Sequence, residues 1–160
     1  MGGKGSDSLE KAYLGVGSNL GDRQHNLDAA RKLTEEIPRT RFLKSSSVIE
    51  TDPVGGPPQG KYLNAVWEIE TTLAPRELKN HLFKIETQLG RKRNAKNASR
   101  EIDLDILFYG DRVIEEKDLK IPHPRLHERF FVLIPLNEIA PDKVHPGLKK
   151  SVKEIYEDCA

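Results

Sequence analysis

Apolar positions recur at two periods along this chain. Lys11 to Gly17 (K-A-Y-L-G-V-G) is a short, mostly apolar run that reads as a buried first strand. Ser18 to Gly21 is a turn, and Asp22 is placed to cap a helix through its side-chain oxygen. Leu27, Ala30, Leu33 and Ile37 follow at helical spacing until Pro38 ends the run. Arg41 to Glu50 predicts a second strand with a polar middle. Tyr62 to Leu73 predicts a third. In that third strand Leu63, Ala65, Trp67 and Ile69 make a wholly apolar face for the core. Tyr62, Asn64, Val66 and Glu68 share the other face. Pro75 fits the first turn of a second helix with Leu78, Leu82, Ile85 and Leu89 as its stripe and Gly90 as its C-terminal stop.

From Ile102 to Ile106 apolar and acidic residues alternate, the period of a half-buried strand. Gly110-Asp111 is a turn, and a short extra strand begins over Arg112 to Ile114. Prolines hold Ile121 to Arg125 in extended or turn geometry. His127 to Ile139 predicts a helix with a break or kink at Pro135, and Ser151 to Cys159 a last helix capped by Ser151. The order strand, helix, strand, strand, helix, strand, then a tail is the split βαβ pattern. The expected class is therefore α+β: a ferredoxin-like βαββαβ antiparallel sheet with helices packed on one face and a C-terminal extension.

The totals narrow the setting. A chain of 160 residues implies one domain, expected over residues 11–160, with Met1 to Glu10 as a disordered Gly/Ser/charged extension rather than a signal peptide. Lys and Arg number 26 against 25 Asp and Glu, so a globally basic nucleic-acid binder is not indicated. The single cysteine, Cys159, allows neither an internal disulfide nor a cysteine-based zinc site. A reducing, cytoplasmic compartment fits that usage. No apolar run is long enough to span a membrane.

The chemistry centres on Asp103 and Asp105. They stand together on the outer face of their strand, roughly 6.5–7 Å apart along it. Taken alone, such a pair also suits a merely wet acidic face. The ten residues before Glu101, however, carry Arg91, Lys92, Arg93, Lys96 and Arg100 and no acid. A cationic loop running into two carboxylates suits a polyphosphate with Mg²⁺, which takes one or two carboxylates plus phosphate oxygens. Thr51 to Gly60 holds three prolines and three glycines, a functional or mobile loop. Beside it, Tyr62 and Asn64 could stack on and hydrogen-bond to a flat heterocycle, or be an ordinary half-exposed pair. The glycines at 15, 17 and 21 do not make a dinucleotide fingerprint; their spacing is wrong, and they let the turn pass close to backbone or ligand. No P-loop motif occurs. His123 and His127 lack a third zinc-type ligand, which leaves His123 as a phosphate hydrogen-bond donor.

Several motifs then fall in one order: Gly17-Ser18-Asn19-Leu20-Gly21, Thr51-x-Pro53-x-Gly55, Tyr62-Leu63-Asn64-Ala65 and Glu86-x-x-x-Gly90-Arg91-x-Arg93. Arg100-x-Ile102-Asp103-Leu104-Asp105-Ile106, Pro122-His123-Pro124-Arg125 and Arg129-x-Phe131-x-Leu133-x-Pro135-Leu136 complete it. The set resembles the 6-hydroxymethyl-7,8-dihydropterin pyrophosphokinase family of folate biosynthesis, from about Ala12 to Pro146.

The resemblance implies transfer of the terminal pyrophosphoryl unit of ATP to the pterin hydroxymethyl oxygen, with release of AMP. It implies two Mg²⁺ ions on Asp103 and Asp105 and phosphates gripped by Arg91 and Arg100. His123 and Arg129 would contact ATP, with Glu86, Arg93 and the backbone of Ile106 helping to hold the nucleotide. The pterin would lie between Tyr62 and Phe131, its edge read by Asn64 and the backbone around Thr51 and Val54. A monomer with mobile loops is implied too. Lys96-Asn97-Ala98-Ser99-Arg100 stands where many members carry Arg-Trp-Gly-Pro-Arg, so no aromatic lid is expected there. Phe83 replaces a polar nucleotide contact of some members. Two other classes remain open on the residues alone: another Mg²⁺-dependent phosphoryl or nucleotidyl transferase, and a non-catalytic RNA-binding module of the same fold.

Overall fold

The computed structural model describes residues 8–53, 60–90 and 101–159. Within them the chain runs β1 (Glu10–Ser18), α1 (Arg23–Glu35), β2 (Thr40–Ser45), β3 (Ile49–Thr51), β4 (Tyr62–Thr71), α2 (Pro75–Gln88) and β5 (Asp103–Tyr109). A hairpin of β6 (Ile114–Glu116) and β7 (Leu119–Ile121) follows. After a 3₁₀ turn at Leu126–Glu128 come α3 (Phe130–Ile139), the short pair β8 (Val144–His145) and β9 (Lys150–Ser151), and α4 (Val152–Cys159).

The main sheet is antiparallel in the order β2-β4-β1-β5, with β3 also on β4. This is the expected ferredoxin-like α+β arrangement. Asp22 caps α1 by accepting the His25 N–H at 3.1 Å, and Ser151 caps α4 by accepting that of Glu154 at 3.1 Å. Gly90 follows α2 with φ +105, a conformation open to glycine. Of the expected extension 1–10, residues 1–7 lie outside the described residues, and Glu10 already pairs with Thr71 in β1.

Three expectations need correction. The sheet is covered on both faces. Ala12, Leu14, Val16, Trp67, Leu104 and Ile106 join the core beneath α1 and α2. Tyr13, Val66, Leu107 and Phe108 join a second core with Leu133 and Leu136 of α3 and Ile155 of α4. Val66 and Glu68 are therefore buried, not outward. Glu68 is stabilised there by the Tyr13 hydroxyl at 3.3 Å and by the ammonium groups of Lys11 and Lys44 at 3.3 and 3.7 Å.

Secondly, Arg41 to Glu50 is two strands. Between them the Ser46 hydroxyl accepts the Val66 N–H at 2.8 Å, a side chain standing in for a ladder carbonyl. Glu138 of α3 takes the Ser47 N–H at 3.0 Å. Thirdly, α3 runs through Pro135 and the break comes earlier, at Arg129. A proline costs a helix one hydrogen bond, and burial of Val132, Leu133 and Leu136 offsets that loss. The extra strand expected to begin over Arg112 to Ile114 starts at Ile114 and runs to Glu116, with β7 as its partner.

Candidate active site

The site grows from a bare strip of β1. Across the sheet Gly17 lies opposite Asn64 on one side and Asp103 on the other. Gly15 lies opposite Val66 and Asp105. Both glycines belong to the face that α3 covers, so the strip forms a floor without side chains. A Cβ at Gly17 would stand 2.9 Å from Asn64 Oδ1 and 3.4 Å from Tyr62 Cδ1. One at Gly15 would meet the Leu107 methyls, the nearer at 3.2 Å. Leu107 is the extra residue of a β-bulge, because Tyr13 pairs with Phe108 and Leu14 with Ile106. The bulge points both Leu107 and Phe108 into the second core and leaves Asp103 and Asp105 at the open end of the same face.

Above this floor is a cleft of about 420 Å³. Thr51, Tyr62, Asn64, Asp103, Asp105, His123, Arg129 and Phe131 all line it, eight of the residues expected from the sequence. The Asn64 amide donates to the Thr51 hydroxyl. The Arg129 guanidinium lies 5.5 Å from the Phe131 ring centre, within cation–π range. His123 is tied to the bulge, since its N–H donates to the Leu107 carbonyl at 3.1 Å. Its Nδ1 accepts the Arg125 N–H at 3.2 Å, so Nε2 carries the proton of the neutral ring. Burial pushes the His123 pKa down to about 4, with repulsion from Arg129 and Arg125 adding to it. The imidazole is thus a neutral donor at ordinary pH.

A second cavity of about 260 Å³ lies behind β5. Ile106 lines it, with Leu82 and Lys79 of α2 and with Lys117, Leu119 and Lys120 of the β6–β7 hairpin. Asp105 and His123 line both spaces. Glu86 lines neither. It is buried on the α2 side, where its carboxylate accepts the Leu104 N–H at 2.7 Å. Val54, Arg91, Arg93 and Arg100 lie outside the described residues.

Sequence reasoning did not assign Arg125 or Glu128 to the cleft, nor the hairpin to the second cavity. The apolar Ile114, Leu119 and Ile121 around polar Lys117-Asp118 were the available signal for that hairpin. Among the described residues no group of three or more metal-type side chains occurs. A pair of carboxylates beside space for a phosphate is nonetheless a sufficient protein contribution for Mg²⁺.

The family model for 7,8-dihydro-6-hydroxymethylpterin-pyrophosphokinase matches residues 13–141. The chain belongs to this family. It is 46% identical over 148 residues to the 2-amino-4-hydroxy-6-hydroxymethyldihydropteridine pyrophosphokinase of Aquifex aeolicus, covering 92% of this chain and 91% of that one. The enzyme of the same name from Haemophilus influenzae is 42% identical over 136 residues, 85% of each chain. That of Bacillus subtilis is 45% identical over 128 residues, 80% of this chain and 77% of its own. The pyrophosphokinase fold is also found in the crystal structure of wild-type Plasmodium falciparum HPPK-DHPS with pteroate, at a TM-score of 0.76 and 16% identity. That likeness covers 94% of this chain and 42% of the Plasmodium chain, so this chain spans under half the length of that protein.

Proposed function

We propose that the two cavities are the two substrate sites of a pyrophosphokinase that moves the terminal pyrophosphoryl unit of ATP to 6-hydroxymethyl-7,8-dihydropterin, in folate biosynthesis. The observation that carries this reading is the shared wall: Asp105 and His123 border both spaces. A nucleotide behind β5 and a pterin over the Gly15–Gly17 strip would meet there. Lys79, Lys117 and Lys120 make the second cavity suited to a nucleotide, and the backbone of Ile106 is available to it.

In the first cavity Tyr62 and Phe131 offer ring faces, and Asn64 beside Thr51 offers the hydrogen-bonding edge that a pterin needs. Asp103 and Asp105 are suited to hold Mg²⁺, two ions in the family reading, which when bound neutralises phosphate charge and orients the acceptor. His123 donates from Nε2 without adding charge, and Arg129 adds a fixed cation. The pterin hydroxyl oxygen bonds to the β-phosphorus and loses its proton, while the bond from that phosphorus to the α-phosphate oxygen breaks and AMP leaves. Arg91, Arg93 and Arg100 are proposed to hold the phosphates, Glu86 to support the nucleotide by fixing β5, and Val54 to present backbone to the pterin.

A monomer is proposed on the family likeness alone. No described helix is long and apolar enough to cross a membrane, and a cytoplasmic setting is proposed with that fact. The test is incubation with ATP, Mg²⁺ and the pterin. AMP that requires the pterin and disappears with EDTA is expected. ADP in its place, or no nucleotide product from folded protein, overturns the reading.

A further inference from the structure

Arg125 and Glu128 line the first cavity together with Asp103, Asp105 and His123, and neither lines the second. Arg125 therefore stands on the acceptor side of the shared wall, where a transferred diphosphate remains once the nucleotide fragment has left. Its place is fixed from below. Leu126 is fully buried, and the 3₁₀ turn it starts brings Arg125 and Glu128, three residues apart, to one side. Arg125 also fixes the neighbouring donor, because its backbone N–H holds His123 Nδ1.

The Arg125 side chain is held only lightly. Its Nε and Nη2 each donate to Glu128 Oε1 at 3.3 Å, with the two side chains 62% and 52% exposed. An exposed pair of that length is weak in water. A diphosphate presents two oxygens to the same planar fork and carries more charge than one carboxylate, so it displaces Glu128 from the guanidinium. Glu128 has a reason to line a cavity that Asp103 and Asp105 also line. It is the competitor that takes the guanidinium back.

We propose that Arg125 binds the diphosphate of the pterin product and that Glu128 limits the strength of that contact, so that product leaves. This rests on the pyrophosphokinase reading and adds a product-binding residue and a release device to it.

The test measures Kd for the pterin diphosphate and for the pterin alcohol, with Mg²⁺, by calorimetry. Arg125→Ala is expected to weaken the diphosphate by about tenfold or more while leaving the alcohol within about twofold. Arg125→Lys is expected to fall between, since it keeps charge and loses the fork. Glu128→Gln is expected to tighten the diphosphate and to lower steady-state turnover more than single-turnover transfer. Equal weakening of both ligands in Arg125→Ala, or an unchanged diphosphate Kd, overturns the inference while wild-type AMP formation leaves the pyrophosphokinase reading standing. Absence of pterin-dependent AMP from the wild type overturns both.

Discussion

The carboxylate of Glu86, buried on α2, accepts the backbone N–H of Leu104 at 2.7 Å. Leu104 is the residue between Asp103 and Asp105, so one helix side chain sets the height of the strand segment that presents both carboxylates. Removing the acceptor leaves a buried N–H unpaired. Glu86→Ala is expected to cost about 1–3 kcal/mol of stability and to raise the Mg²⁺ concentration needed for half-maximal activity. Glu86→Gln keeps an acceptor oxygen and is expected to recover most of both. Urea denaturation and a Mg²⁺ titration of AMP release check this pair, and an unchanged Mg²⁺ requirement in Glu86→Ala would remove the positioning role.

Asp105 is exposed at the open end of β5, where the bulge at Leu107 leaves it clear of the second core. Asp105→Ala is therefore expected to leave stability within about 0.5 kcal/mol. AMP formation is expected to drop by at least about 10²-fold, the scale of losing a preorganised electrostatic contact. Thermal melting and an initial-rate assay on the same preparation separate these effects. Near-normal turnover would remove Asp105 from the metal site.

The alternation that singled out Asp103 and Asp105, and Tyr62 beside Asn64, is a local property, and period-two patterns carry it directly. The same alternation misjudged Val66 and Glu68, because what covers a strand's second face is decided by a helix some seventy residues later. The bulge at Leu107 leaves no local mark either. Leu107-Phe108-Tyr109 is simply an apolar run, and only pairing with Tyr13 and Leu14 reveals the phase change. Ser46 looked like strand interior for the related reason that its hydroxyl imitates a ladder acceptor. Glu86 was legible as part of a motif, but its bond to Leu104 is a contact between elements, which spacing along one element does not contain.

His123 gives a pH prediction. Its folded pKa, about 4, lies below the ordinary 6.5 because burial disfavours the imidazolium and the two nearby arginines repel it. Unfolded chains bind the proton first, so the stability due to the neutral buried ring is complete above pH 6.5. It is lost as pH falls from 6.5 towards 4. The swing is on the order of 3 kcal/mol at most. His123→Asn is expected to flatten that part of the stability curve, measured by urea denaturation at a series of pH values. Because the ring stays neutral, any inflection of the ATP KM near pH 6.5 is expected to come from the terminal phosphate of ATP and to persist in His123→Asn. An inflection that His123→Asn abolishes would contradict the neutral donor.

Gly17 is the place where the two halves of the cleft touch. It pairs with Asn64 across one edge of β1 and with Asp103 across the other. Gly17→Ala would place a methyl 2.9 Å from Asn64 Oδ1, closer than real contacts allow, and Asn64 is itself held by Thr51. The amide has to give way. Overpacking of this kind costs typically 1–3 kcal/mol, so the pterin KM is expected to rise by about tenfold. The ATP KM is expected to stay within about twofold, because Asn64 does not border the second cavity. Gly15→Ala is the comparison. Its methyl meets only the flexible end of Leu107, at 3.2 Å, and a smaller rise is expected. If Gly17→Ala raised both KM values equally, the strip would be serving the sheet rather than the pterin. If it raised neither, Asn64 would not be reading the pterin edge.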